Sequence, residues 1–119
     1  MGILSKLFGK KQLPSSKNSE HSVIVHFQYG STDLQRLFDL ENQLESAINE
    51  AGVGVFDGNV IAADGSDGYL YMYGPDADKL FEIVEPILEA TDFTEGATVK
   101  LRYGPIEYEV PELEKTIHS

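Results

Sequence analysis

Two runs of this chain repeat the order strand, tight break, amphipathic helix, and that repetition constrains the fold more than any single residue does. One is Asp67–Leu88, DGYLYMYGPDADKLFEIVEPIL; the other is SVIVHFQYG leading into STDLQRLFDLENQLESAINEAG. With strand-like segments at Val53–Ala62 and Ala97–Tyr103, the order becomes β-α-β-β-α-β. That order predicts an α+β fold, a ferredoxin-like two-layer sandwich with an antiparallel sheet. A length of 119 residues fits one domain. The division expected is a basic, flexible arm and linker over 1–20 and the sandwich with a C-terminal extension over 21–119.

Alternation sets the faces. In the first strand Val23, Val25, Phe27 and Tyr29 alternate with Ile24, His26 and Gln28; in the third, Leu70 and Met72 alternate with Tyr69, Tyr71 and Tyr73. Thr32 with Gln35 fits a capping box for the first helix, whose stripe is Leu34, Leu37, Phe38, Leu44, Ala47, Ile48 and Ala51. Gly52 ends it, because glycine takes the left-handed cap without steric cost. Asp57-Gly58 inside Val53–Ala62 allows an edge strand with a bulge or a small hairpin, and the edge strand is favoured. Pro75 suits the first helical position of the second helix, which buries Ala77, Leu80, Phe81, Val84, Ile87 and Leu88. Ile106, Tyr108 and Val110 alternate with Glu107 and Glu109, which allows a short fifth strand before Pro111. The expected core holds Val25, Phe27, Leu37, Leu44, Leu70, Met72, Leu80, Val84, Val99 and Leu101.

Charge divides the chain. The net −11 combines four lysines against one glutamate in residues 1–20 with five cations against nineteen acids in the rest. An acidic body repels phosphate backbones within the ~8–10 Å Debye length, which argues against nucleic-acid binding and favours a basic partner. With no cysteine there is no disulfide and no thiolate chemistry. No apolar run nears the roughly 20 residues that span a bilayer, and Met1–Lys11 lacks a signal cleavage site, so the expected location is cytoplasmic. Met1–Lys11 does place Ile3, Leu4, Leu7 and Phe8 beside Lys6, Lys10 and Lys11. That pattern allows at most weak contact with a membrane surface, against a frayed terminus as the plainer expectation.

Reactive motifs are missing. Nucleophilic catalysis needs a Ser, Cys or Thr beside a base, and His26 is the one histidine inside an element, His21 and His118 lying at margins. Asp64, Ser66 and Asp67 suggest calcium, yet an EF-hand loop begun at Asp64 puts Gly68 at the fifth ligand position and Pro75 at the twelfth. Hairpin chemistry explains that turn better. The sequence calls for no cofactor and no metal, and it points away from an enzyme.

Two surfaces stand out instead. At about 100° per residue, Asp78, Glu82, Glu85 and Glu89 share one sector of the second helix. Like charges at i, i+4 cost about 0.2–0.5 kcal/mol each, so local stability does not account for the row. Either it is a solvated face or it docks a basic protein. The other surface is the sheet face away from the helices, where His26, Tyr69, Tyr71, Tyr73, Lys100 and Arg102 gather. Such a platform stacks a ligand, binds RNA or forms a dimer interface; a dimer, or cover by the Ile106–Val110 segment, suits the acidic body better than RNA.

The core run GYLYMYGPDADKLFEIVEPIL, within a region of about Val53–Tyr103, resembles small uncharacterised bacterial proteins of ferredoxin-like type. The resemblance implies that fold and a bacterial source, and no activity. The leading functional expectation is a non-enzymatic acidic domain, immunity- or inhibitor-like, that recognises a basic protein. The alternative is a small-molecule-binding or enzymatic domain on the Tyr-rich face, with His26 as acid–base group and Lys100 and Arg102 holding an anion.

Overall fold

The computed structural model describes residues 20–105 and 107–118. In chain order the elements are β1 (His21–Gln28), α1 (Gln35–Ala51), β2 (Val55–Ile61), β3 (Asp67–Gly74), α2 (Ala77–Glu89), a single 3-10 turn at Asp92–Thr94, β4 (Thr98–Arg102) and β5 (Glu112–Thr116). The five strands form one antiparallel sheet in the order β2-β3-β1-β4-β5. Both helices pack on one of its faces and against each other, which makes two layers. The added β5 means the sheet is not a plain four-stranded βαββαβ arrangement. Residues 1–19, and with them the basic arm and the membrane contact expected of Met1–Lys11, lie outside the described residues.

The registers bring the apolar rows into line. Val25 of β1 sits between Leu70 and Val99, and Val23 between Met72 and Leu101. These six, with Phe27, Leu37, Leu44, Leu80 and Val84, are almost completely buried, so the whole expected core is in place. Leu70 faces the helices and Tyr71 the other way, which fixes the sheet right side in. Leu40 joins the buried row of α1, Leu37–Leu40–Leu44–Ile48, while Phe38 is 46% exposed. One residue is about 100° of helical rotation, and that turns Phe38 off the face its neighbour Leu37 occupies.

Helix ends differ from expectation. Thr32 forms no capping box, because α1 starts at Gln35 behind Leu34 and no side chain caps Leu34's position. The Asp33 carboxylate accepts from Gln35 N instead, and Ser31 Oγ from Asp33 N. The backbone before α1 is tied to the β2–β3 turn, where Gly30 N and Ser31 N both donate to Gly65 O. Gly65 has φ +75°, and a Cβ there would stand 2.0 Å from Ser31 O, so this crossing requires glycine. Gly52 does close α1 in the left-handed region, at φ 68°. At α2 the cap is Asp76, whose Oδ1 accepts from Lys79 N, and Pro75 lies just outside it. His21 Nδ1 accepts a further orphan donor, Ala77 N, at 3.0 Å.

Val53–Ala62 resolves as one edge strand with its irregularity at Phe56/Gly58, as the Asp57-Gly58 pair suggests. The fifth strand is displaced from its expected place. Residues 107–111 are loop, Ile106 lies outside the described residues, and pairing begins only after Pro111. The loop is pinned where Tyr103 N donates to Pro111 O and Val110 closes over Gly104. Beyond β5, Ile117 is completely buried and exchanges backbone hydrogen bonds with Gly96 and Ala97.

Candidate functional site

The open sheet face is built from the outward residues of all five strands. Cross-strand neighbours form rows: Val60, Tyr69, His26, Thr98 and Thr116; then Gly58, Tyr71, Ile24, Lys100 and Glu114; then Val55, Tyr73, Ser22, Arg102 and Glu112. The structure therefore brings together all six residues expected here: His26, Tyr69, Tyr71, Tyr73, Lys100 and Arg102. Rings make a ridge on its β3 side, with His26 stacked on Tyr69 at 4.5 Å and Tyr69 on Tyr71 at 6.2 Å between centroids. Beside the ridge runs a trough of about 460 Å³, lined by Ile24, His26, Tyr69, Tyr71, Thr98, Lys100 and Glu114. Residues 107–111 do not line it; they meet this face at Arg102 instead.

Charge on this face is largely consumed within it. Arg102 Nε donates to Glu112 Oε2 at 2.8 Å, and Lys100 Nζ stands 3.9 Å from Glu112 Oε1. Arg102 also donates to the Tyr108 carbonyl. Two cations that looked free in the sequence thus share a carboxylate from β5, which weakens their claim on an anionic ligand. His26 donates Nε2–H to Asp67 Oδ2 at 2.8 Å. Among the described residues no hydroxyl hydrogen-bonds His26, so the pair lacks the nucleophile that a triad needs. Burial raises the Tyr71 phenol, and burial, with Asp57 and Glu20 nearby, pushes Tyr73 up to about 12. Both therefore present neutral hydroxyls at physiological pH.

Asp67, Glu112 and Glu114 were missed as members of this face. The signal for the glutamates was the period-two run ELEKT at Glu112–Thr116, which puts Glu112, Glu114 and Thr116 on one side. No group of three or more His, Asp or Glu among the described residues is placed to hold a metal ion.

The second surface is the outer side of α2. Asp78, Glu82 and Glu89 are exposed and Glu85 half-exposed. Asp78 is engaged: Tyr103 Oη donates to its Oδ1 at 2.7 Å, and this hydrogen bond to a carboxylate pushes Tyr103 up to about 12. Glu82, Glu85 and Glu89 have no ion pair with any described residue. Lys79 is the one cation within α2, one turn before Glu82, and two other described cations are engaged elsewhere. Arg36 pairs with Asp92 and lies over the Tyr29 and Phe93 rings, and Lys115 lies over Phe81. A shallow hollow of about 780 Å³ at the β4–β5 loop adds Glu107 and Glu109 to the acidic exterior.

Comparison with family models, with curated proteins and with solved structures finds no match, so the resemblance to bacterial proteins gains no support from them. No described helix is long and apolar enough to cross a membrane.

Proposed function

We propose that this chain is a binding protein, not an enzyme, in which a ferredoxin-like sandwich extended by β5 presents the outer face of α2 to a basic protein. Small immunity or inhibitor proteins act in this manner. The observation that carries the reading is the uneven use of cations. Arg36, Lys100 and Arg102 are spent on Asp92 and Glu112, while Glu82, Glu85 and Glu89 stand in a row with no ion pair among the described residues. Two exposed carboxylates and one half-exposed one, with no ion pair among the described residues, add little to this fold, and a basic partner gains steering and register from them. The test is to capture partners from the source cell with the full chain, then compare wild type with the Glu82→Lys/Glu85→Lys double variant. Weaker binding by the double variant supports the reading, and equal affinity refutes it.

The trough favours a second reading, a small-molecule site on the sheet face. Its volume lies within the range of ligand pockets, and Lys100 is held more loosely by Glu112 than Arg102 is. An ordered small molecule between Tyr71 and Lys100 would support this reading over the first.

A further inference from the structure

The open sheet face differs from the rest of the exterior in two ways. It holds two of the body's five cations, Lys100 and Arg102, against Asp67, Glu112 and Glu114, with Asp57 and Glu20 near its Tyr73 edge. It also exposes apolar surface on its β2–β3 half, where Val60 is 57%, Val55 43% and Tyr69 38% exposed. Contiguous apolar surface of this kind on a small protein marks an interaction site. A rim of satisfied charges beside an aromatic and aliphatic patch is the usual anatomy of a protein interface.

We propose that this face joins two copies of the chain. An isologous contact needs a surface complementary to itself, which means a protrusion and a matching depression side by side. Here the Tyr69–Tyr71 ridge runs next to the trough floored by Ile24 and Thr98. A two-fold axis along the strands, between β3 and β1, seats the ridge of each copy in the trough of the other. The same operation lays β2, with Val55 and Val60, over the aliphatic stem of Lys100. Packing the faces of four strands, spaced about 4.8 Å apart, covers on the order of 1,200 Å² in total, the lower end of specific interfaces. The ion pair of Arg102 with Glu112 stays intact, and Lys100 and Glu114, opposite each other on β4 and β5, enter the seam together as unlike charges.

This inference is independent of the proposed α2 face, and salt separates the two. Two acidic bodies repel, so the dimer strengthens as salt screens them, whereas a basic partner on α2 is held less firmly. The test is sedimentation of the full chain at about 100 μM, in ~50 and ~500 mM salt. The expected particle has twice the 13.2 kDa chain mass, with a greater dimer fraction at the higher salt. Val60→Lys should give a folded monomer by circular dichroism, although it makes the body less acidic. Thr98→Arg, in the trough on another strand, provides the same readout should V60K fold poorly. Phe38→Lys, on the helix side, should remain dimeric. A wild type that is monomeric at both salt concentrations overturns the proposal, as does a dimer that survives both V60K and T98R or one that F38K dissolves.

Discussion

Tyr103 shows how one hydrogen bond sets a titration. Its hydroxyl donates to Asp78, and the ionised carboxylate favours the protonated phenol, so the folded value of about 12 lies above the ordinary value of about 10. A folded value raised above the unfolded one gives stability that is complete below pH ~10 and is lost as pH climbs through about 12. Asp78→Asn should therefore move one tyrosine of the 295 nm absorbance titration to lower pH. Tyr73, raised first by burial, should stay late. An unchanged curve would mean that the contact does not form in solution. Ser22 gives the opposite kind of test. It is fully buried between Tyr73 and Arg102, and its Oγ has no hydrogen-bond partner among the described residues. Ser22→Ala should raise stability in urea by up to about 1 kcal/mol, because an unsatisfied hydroxyl is removed at little cost in volume. A loss of stability would show that the hydroxyl is satisfied. Neither residue was legible in the sequence. Both effects come from partners far away in the chain, which periodicity cannot reveal.

Elements whose buried face is marked by a repeat were the legible ones. Alternation in β1 and β3 oriented the central sheet correctly, since a one-residue slip would have put Tyr71 in the core. The helical stripe of α2 also held, with Ala77, Leu80, Phe81, Val84 and Leu88 all buried. Alternation misled at the fifth strand. Ile106–Val110 has the better apolar pattern, but pairing falls to ELEKT, a charged edge strand whose every residue is exposed. Charge on an edge guards against unwanted pairing, so hydropathy is a weak signal there. What holds β5 is the residue after it. Ile117→Ala should cost about 2–5 kcal/mol, whereas Leu113→Ala, at a half-exposed position, should cost much less. Chemical denaturation of the two variants checks this. Equal costs would mean that the tail is not anchored through Ile117. The same strand corrected the candidate site, since Glu112 holds both cations expected to meet a ligand.

At the scale of the whole molecule, charge is the property most plainly written in the sequence and most closely tied to the proposed function. Composition gave the excess of acids, but how the few cations are spent depends on tertiary contacts such as Arg36 with Asp92, 56 positions apart. The consequence is kinetic. A field from uncompensated carboxylates speeds encounter with a basic protein, by about tenfold or more at low ionic strength, and salt removes that gain. Replacing Glu82 and Glu85 by lysine should leave the fold intact, because both lie off the buried row of Leu80, Val84 and Leu88. The most direct measurement is the association rate of the captured partner with wild type and with the E82K/E85K variant across a salt series. The account predicts a steep fall with salt for wild type and a much flatter, slower line for the variant. Superimposed salt dependences would contradict it and leave the α2 row as a solvated face.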